Sequence, residues 1–301
     1  MAVPSAPAAP TRRRALTVTL ATAAAVIAAP AGVAAASPAA VGRPSGPRPL
    51  RHAHAHNDYL HPRPLYDALA HGFTSVEADI FLVDGELLVA HDPAGLDPRR
   101  TLAALYLDPL RALVRAGRGS VHPHHRAPLQ LLIDIKADGV AAYRELDRQL
   151  ARHRSLFTRY NHGRVRPGAV TAVISGDRAA RLPMEAQRTR LAFYDGRLDD
   201  LGAASPASFT PLISANWTQT FGWLGAGPFP RAERDRLRTL VTAAHREGRR
   251  IRFWATPDLP GPEREAVWSE LLAAGVDQLN TDDLAGLERF LRARAGAPRA
   301  S

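Results

Sequence analysis

Short apolar runs alternate with amphipathic, helix-like stretches along most of the chain. Eight runs have the continuous apolar character of strands that are buried on both faces, at residues 50–56, 73–82, 129–136, 169–175, 190–194, 211–216, 251–255 and 276–280. Helical periodicity separates most of them, at residues 64–71, 102–116, 140–153, 231–247, 263–274 and 284–293. A short extra strand is predicted at residues 86–90, after the Asp84-Gly85 turn. Eight strands that alternate with helices over about 250 residues predict an α/β fold, a single-domain (β/α)₈ TIM barrel.

An open, doubly wound α/β sheet is the alternative architecture for this alternation. Its usual signal is a glycine-rich G-x-G-x-x-G turn or a P-loop after the first strand, and neither is present. No internal repeat of fixed period is visible either. The prediction is therefore one barrel over residues 50–293, preceded by a flexible Pro-rich lead-in at 37–49 and followed by a disordered tail at 294–301.

Residues 1–36 have the features of an export signal. Three arginines, Arg12 to Arg14, precede a weakly apolar stretch, and Ala34-Ala35-Ala36 offers a small-residue cleavage site. A membrane anchor is the alternative, which the Pro-Ala-Gly break at residues 30–32 disfavours. The arginines also approximate a twin-arginine signal. We expect a signal peptide and secretion by the Sec or the twin-arginine route.

The composition excludes several kinds of chemistry. The chain has no cysteine, which excludes disulfides, a thiol nucleophile and cysteine-ligated metals. Of its 39 Lys+Arg residues, against 29 Asp+Glu, only Lys136 is a lysine, a usage typical of GC-rich bacterial genomes. The formal net charge of +10 is thus weak support for nucleic-acid binding, which needs basic residues gathered on one face. We expect a monomer with no nucleic-acid partner.

Polar or charged residues interrupt three of the apolar runs, at 50–56, 73–82 and 129–136, at or near their C-terminal ends, where barrel active sites are built. Because residues two apart on a strand face the same way, Glu77 and Asp79 share a face, as do Asp134 and Lys136. If that face is the barrel interior, three carboxylates and a lysine converge at its mouth. Buried carboxylates need a compensating cation, and an all-oxygen set favours Mg²⁺ or Ca²⁺. The alternative is a purely structural network of ion pairs.

Histidines flank the same region. His52, His54 and His56 alternate with alanine and face one way, but only His56 can lie at the rim of the barrel. His91 follows the short extra strand and is predicted to lie over the same mouth. Two imidazoles on either side of a phosphate would supply a general acid and a general base near neutral pH. The histidine-rich loop at residues 122–125 is expected to be solvated.

The run from His54 to Pro93, HAHNDYLHPRPLYDALAHGFTSVEADIFLVDGELLVAHDP, resembles the PLC-like phosphodiesterase superfamily. That superfamily includes glycerophosphodiester phosphodiesterases, bacterial phosphatidylinositol-specific phospholipases C and sphingomyelinases D. The shared pattern is a strand-one histidine, then G-x-x-x-[IV]-E-x-D, then D-G-x-x-V-x-H-D. Three later segments are also similar to the superfamily: Asp134-Ile135-Lys136, Phe253-Trp254-Ala255-Thr256, and Gly275-Val276-Asp277 with Asn280-Thr281-Asp282.

The resemblance implies a secreted, metal-dependent phosphodiesterase that acts on a phospholipid or glycerophosphodiester-type substrate, and a lipid or membrane surface as a further partner. It implies that one divalent cation, Mg²⁺ or Ca²⁺, is held by Glu77, Asp79 and Asp134. It makes His56 and His91 the acid–base pair and Lys136 a phosphate-contacting cation. The implied substrate-binding residues are Asn57, Trp254 and Asn280.

The chain also departs from the better-known branches of the superfamily. The H-R-G opening of glycerophosphodiesterases is replaced by His56-Asn57-Asp58-Tyr59, and their P-E-N-T acid is absent. The opening is similar to an H-N-D-Y branch of the superfamily. The sphingomyelinases D of secreted toxins carry disulfides, which a chain without cysteine cannot form.

Two other functions remain as alternatives. An amidohydrolase-like metal-dependent hydrolase would use the H-x-H spacing of His54 and His56, but it also needs histidines on strands five and six, which have none. A non-catalytic secreted barrel that binds lipid or polyanions would keep the fold without turnover. Hydrolysis of a generic phosphodiester separates the latter from an enzyme.

An aromatic loop follows the sixth predicted strand. Residues 216–229 hold two of the four tryptophans and two phenylalanines among glycines. A loop after a barrel strand rises from the active-site face. Its aromatic residues therefore predict either a surface that docks on lipid or a lid packed over the barrel mouth, and the sequence does not choose between the two.

Overall fold

The computed structural model describes residues 46–123 and 125–296. The expected signal peptide, residues 37–45 of the lead-in, His124 and residues 297–301 lie outside the described residues. The strands in chain order are β1 Leu50–Ala55, β2 Phe73–Val83, β3 Glu86–Val89, β4 Leu129–Ile135, β5 Arg159–Asn161, β6 Arg164–Arg166, β7 Val170–Gly176, β8 Thr189–Arg190, β9 Ala192–Gly196, β10 Leu212–Asn216, β11 Arg250–Trp254 and β12 Gln278–Thr281.

Eight of these strands form a closed parallel barrel in the order β1-β2-β4-β7-β9-β10-β11-β12. Closure is visible at β1, which pairs in parallel with both of its neighbours: Ala55 is the register partner of Thr281 on β12 and of Val76 on β2. Because β1 is hydrogen-bonded to both β2 and β12, the eight-stranded sheet closes on itself and has no open edge. The (β/α)₈ barrel is therefore confirmed, and the open doubly wound sheet is excluded.

Helices connect the barrel strands, and their bounds are α1 Tyr66–Ala70, α2 Asp108–Ala116, α3 Gly139–Arg152, α4 Arg181–Glu185, α5 Trp217–Thr220, α6 Arg231–Arg246, α7 Pro262–Ala274 and α8 Leu284–Gly296. All six predicted helices are present. The short helices α4 and α5 were not predicted, since neither is long enough for a helical period to stand out. Helix α8 continues three residues into the tail predicted from 294. No helix in the described part of the chain is long and apolar enough to span a bilayer.

The barrel interior is mostly polar, in contrast to its surroundings. Leu131 and Ile133 of β4 belong to the large apolar layer between strands and helices. Because successive residues of a strand alternate, Leu132 points inward, where it forms a small separate cluster with Val173 and Leu212. Most of the other inward positions carry charged, imidazole, amide or hydroxyl side chains. The period of two predicted this for Glu77, Asp79 and Asp134, and it also applies to the histidines of β1.

Two features lie outside the barrel. Strand β3 pairs antiparallel with the end of β2 and confirms the predicted extra strand. Strands β5, β6 and β8 form a separate three-stranded antiparallel sheet in the order β6-β5-β8, which was not predicted because its strands are only two or three residues long.

Candidate active site

The two predicted catalytic histidines lie at the C-terminal mouth of the barrel. His56 follows β1 directly, and its backbone N–H donates to Thr281 O at 3.0 Å. Its Nδ1 lies 2.8 Å from Asp282 Oδ1, so a proton on Nδ1 is donated to that carboxylate. Nε2 is then the ring nitrogen that is left for a substrate. Burial works against protonation of His56, but the bond to Asp282 and the charges of Glu77 and Asp282 outweigh it and raise the pKa.

His91 follows β3 and has a side chain that is 61% exposed. Its Nδ1 lies 3.2 Å from Asp79 Oδ2 and 3.2 Å from the Tyr59 hydroxyl. Both histidines therefore have a carboxylate at Nδ1, the arrangement that fixes the ring and its tautomer in acid–base catalysts.

Asp79, Asp134 and Lys136 form a cluster beneath the histidines. Asp79 and Asp134 are register partners on β2 and β4. Lys136 Nζ lies 2.7 Å from Asp79 Oδ2 and 3.2 Å from Asp134 Oδ1, with 24% of its side chain exposed. Burial raises the pKa of Asp134 to about 6, with Lys136 opposing it and the neighbouring carboxylates adding to it. Burial also disfavours the ammonium of Lys136, but the two aspartates outweigh it and raise its pKa.

Glu77 lies deeper in the barrel and is paired within the protein. Its Oε2 is 3.0 Å from Arg252 NH1 and 2.9 Å from His54 Nε2. Burial opposes the ionised form, yet the Arg252 guanidinium together with His54 and His56 outweighs it and holds the pKa of Glu77 far below its usual range. Burial and Arg252 lower the pKa of His54 to about 4, so His54 is a neutral, structural residue.

One buried carboxylate oxygen of this site lacks a partner that a bound cation would supply. In the ranges 46–123 and 125–296, no three His, Asp or Glu side chains are close enough to form a ready-made metal cluster. Glu77 forms an ion pair with Arg252, and Asp79 forms one with Lys136. Asp79 Oδ1, however, is buried and has no hydrogen-bond partner. A buried carboxylate oxygen without a partner is costly, and a divalent ion between Asp79 and Asp134 would satisfy it.

The three predicted substrate-binding residues lie at different depths. Asn57 is at the rim, where its Oδ1 lies 2.8 Å from the Tyr59 hydroxyl. Trp254 ends β11 and is half-buried. Asn280 is buried one layer lower, where its Oδ1 lies 3.3 Å from Arg252 NH1 and its Nδ2 has no partner. The first two are in reach of a substrate at the mouth, whereas Asn280 contacts the interior network.

Several residues of the site were not predicted. The Tyr59 hydroxyl donates to Asp79 Oδ2 at 2.5 Å, Asp282 orients His56, and Arg252 balances Glu77. The period of two along β11, which places Arg252 on the same face as Trp254, was a signal that could have identified it. Arg252 also donates a hydrogen bond to Ser214, and the Ser214 hydroxyl donates to Asp195. Asp195 forms an ion pair with Arg197 at 3.0 Å.

Lys136→Arg is expected to lower the turnover of a phosphodiester substrate at least tenfold, or about 1.4 kcal/mol. The ammonium fits between two carboxylates 2.7 and 3.2 Å away, where a planar guanidinium would displace one of them. Steady-state kinetics measures the loss. Arg238→Gln on the exposed surface of α6 is the control, and near-native turnover of Lys136→Arg would contradict a role for this lysine.

The aromatic side chains of the loop after β10 are packed into the protein. Trp217, Phe221, Trp223 and Phe229 are all buried. Trp223 stacks on Phe229 with ring centroids 4.5 Å apart, and Trp217 lies 4.3 Å from Phe221. Both indole N–H groups donate to backbone carbonyls within the loop. Side chains occupied in this way are not available for lipid, so the structure favours packing of the loop over lipid docking.

Trp223→Ala is therefore expected to cost about 3–5 kcal/mol of unfolding free energy, because it leaves a cavity beside Phe229. Thermal or urea denaturation measures the loss. Leu224→Ala is the matched control, since Leu224 is 48% exposed in the same loop. An unchanged stability together with weaker binding to liposomes would instead restore the lipid-docking hypothesis.

A closed (β/α)₈ barrel with histidines, carboxylates and a lysine at its C-terminal mouth defines the class: a PLC-like phosphodiesterase barrel. The profile of the AIM6-like phosphodiesterase domain matches residues 48–195, and that of the glycerophosphoryl diester phosphodiesterase family matches residues 250–285. The chain is 30% identical over 270 residues to altered inheritance of mitochondria protein 6 of Eremothecium gossypii, covering 80% of this chain and 69% of that protein. The chain belongs to the AIM6-like phosphodiesterase family, which confirms the resemblance seen in its sequence.

The chain is also similar to a second curated protein and to a solved structure. The chain is 29% identical over 255 residues to an altered inheritance of mitochondria protein 6 homolog of Arthroderma benhamiae, covering 77% of this chain and 81% of that protein. Among solved structures, a glycerophosphoryl diester phosphodiesterase from Parabacteroides distasonis superposes with a TM-score of 0.48 at 13% identity, over 85% of this chain and 90% of that chain.

The amidohydrolase alternative gains no support, because β9 and β10, the fifth and sixth barrel strands, carry no histidine.

Proposed function

We propose that this protein is a phosphoric diester hydrolase that acts on a phospholipid or glycerophosphodiester-type substrate by histidine acid–base catalysis. The observation that carries the proposal is the placement of His56 and His91 over the Asp79–Asp134–Lys136 cluster, each with a carboxylate at Nδ1. The family profile over residues 250–285 supports the substrate class. Secretion by way of residues 1–36 is part of the same proposal.

In the proposed reaction a hydroxyl oxygen attacks the phosphorus atom, and the bond from phosphorus to the leaving-group oxygen breaks. His91 accepts the proton of the attacking hydroxyl. His56, whose raised pKa favours the protonated ring, donates a proton from Nε2 to the leaving oxygen. The Lys136 ammonium neutralises the charge that develops on the phosphoryl oxygens. Asn57 and Trp254 would contact the part of the substrate that extends from the mouth.

One divalent cation, Mg²⁺ or Ca²⁺, is proposed to be held by Asp79 and Asp134, with Glu77 behind them. The support is the unpartnered Oδ1 of Asp79 and the all-oxygen donor set. When bound, such an ion polarises phosphoryl oxygens as a Lewis acid. Glu77 would contribute directly only if its bond to Arg252 lengthens, so Arg252 limits how many of the three carboxylates reach the ion at once.

Phosphorus NMR tests the proposal with the purified mature protein and a panel of phospholipids and deacylated glycerophosphodiesters. We expect hydrolysis of at least one phosphodiester, loss of it in His56→Ala, and no loss in Arg238→Gln. A separate titration with chelator, followed by Mg²⁺ or Ca²⁺, tests the cation. Full activity in chelator would reject the cation alone. Binding of phospholipid vesicles without any turnover would reject the enzyme and favour a binding barrel.

A further inference from the structure

A cavity lies on the flank of the barrel, away from the proposed catalytic residues. It has a volume of about 750 Å³ and lies between the small β5–β6–β8 sheet and the segment 203–209. None of the residues assigned above to catalysis, cation binding or substrate binding lines it. The side chains that matter here are Tyr160, His162, Arg181, Arg188, Arg190 and Phe209.

Arg190 in this cavity is a buried charge without a carboxylate partner. Four arginines are buried in the described part of the chain, and Arg190 is 4% exposed. The other three each have a carboxylate oxygen within about 3 Å: Arg249 with Glu247, Arg252 with Glu77, and Arg264 with Asp283. No such ion pair involves Arg190 within residues 46–123 and 125–296. The charge of Arg190 is therefore not balanced by a carboxylate, whereas the charges of the other three arginines are.

The contacts of Arg190 satisfy its guanidinium only in part. One terminal nitrogen donates to the Ser208 carbonyl, and the guanidinium carbon lies 4.0 Å from the centre of the Tyr160 ring and 5.0 Å from that of Phe209. Nε is buried and has no hydrogen-bond partner. Aromatic faces stabilise a cation by only about 0.5–2 kcal/mol, whereas a buried charge without a counter-charge costs several. Burial accordingly lowers the pKa of Arg190.

The surroundings of the cavity add positive charge. Arg181 and exposed Arg188 also line it, and Glu185 is its acidic lining residue. Arg181 already forms ion pairs with Glu185 and Asp200, at 2.6 Å each. Glu185 is therefore not available as a counter-charge for Arg190. The adjoining sheet carries Arg159, Arg164 and Arg166 on β5 and β6. Their combined field attracts anions to this flank of the barrel.

We propose that this cavity binds a small organic phosphate, a phosphate monoester on a flat or apolar body. The phosphate would provide the missing counter-charge of Arg190 and contact Arg188, since arginine suits the bidentate recognition of phosphate. The rings of Tyr160, His162 and Phe209 would contact the body of the ligand. The volume lies within the range of about 300–1,000 Å³ that is usual for small-molecule sites. The proposal is independent of the catalytic function.

Calorimetric titration of the mature protein with phenyl phosphate tests this site, with phenol as the neutral match and inorganic phosphate as the bare anion. The titrations use the Lys136→Gln background, so that the phosphate-contacting cation of the catalytic mouth is absent. We expect phenyl phosphate to bind at least tenfold more tightly than phenol and more tightly than inorganic phosphate. Arg190→Met should lower its affinity at least tenfold, and Arg238→Gln should not change it.

Arg188→Gln provides a second variant that does not disturb the core, because Arg188 is exposed. We expect it to weaken phenyl phosphate binding as well. If Arg190→Met does not fold, Arg188→Gln decides the matter. Equal affinities for phenyl phosphate and phenol, or phenyl phosphate affinities in Arg188→Gln and Arg190→Met that match the Lys136→Gln background, would overturn the proposal and leave Arg190 as a residue that only holds Ser208 and its aromatic neighbours.

Discussion

Replacing His56 by alanine is expected to lower kcat for a phosphodiester substrate by about 10²- to 10⁴-fold, the usual contribution of a positioned acid or base. His56 is part-exposed at the rim, and its side chain contacts Asp282 and Asn57 rather than the apolar core. The substitution should therefore remove the proton donor while the barrel stays folded. Steady-state kinetics and the melting temperature, measured on the same preparation, separate the two effects.

Asp282→Asn is the companion variant, because it keeps His56 and removes the carboxylate at its Nδ1. The pKa of His56 is raised, so the protonated donor persists to higher pH than in a free imidazole, and activity falls as pH rises through that pKa. Without the Asp282 charge the pKa falls, and this limb of the pH–rate profile should move to lower pH. A His56→Ala variant with full kcat, or a profile unchanged in Asp282→Asn, would contradict the acid role of His56.

The barrel could be predicted from the sequence because its information is local. Each buried parallel strand is an apolar run with helical periodicity on either side, and all eight predicted runs lie within two residues of a barrel strand at either end. One run nevertheless contains a boundary that the sequence did not reveal. The run predicted at 190–194 is divided in the structure between β8, which belongs to the small sheet, and β9, which belongs to the barrel. The change of partner depends on contacts distant in sequence.

The part of the site that depends on local pattern could also be predicted from the sequence. The period of two placed Glu77, Asp79 and Asp134 on the inner face, and the structure brings Asp79, Asp134 and Lys136 together. It does not bring Glu77 into that cluster, because Arg252 pairs with it across a sequence separation of 175 residues. Such a pairing follows from barrel closure rather than from any local pattern. The same is true of Asp282, which follows the last strand of the barrel and reaches His56.

Arg252→Met is expected to destabilise the protein by about 3–5 kcal/mol, the cost of leaving one member of a buried ion pair without its partner. Glu77 and Arg252 are 4% and 3% exposed, so water cannot replace the lost guanidinium. For a chain of this size the loss corresponds to a fall in Tm on the order of 10 °C. Differential scanning calorimetry at pH 7 measures it, and Arg238→Gln, which changes an exposed arginine, should leave Tm unaltered.

The double variant Glu77→Gln/Arg252→Met shows whether the cost comes from the orphaned charge. With no carboxylate left to bury, we expect it to recover much of the stability that Arg252→Met loses, a coupling that a double-mutant cycle measures. The pH dependence has a definite sign. Arg252 lowers the pKa of Glu77 below its unfolded value, so this stabilisation is present above about pH 4 and is lost as the pH falls further. The gap between wild type and Arg252→Met should therefore narrow in acid. A strictly additive double variant would show that Arg252 stabilises the barrel through Ser214 and Asn280 rather than through Glu77.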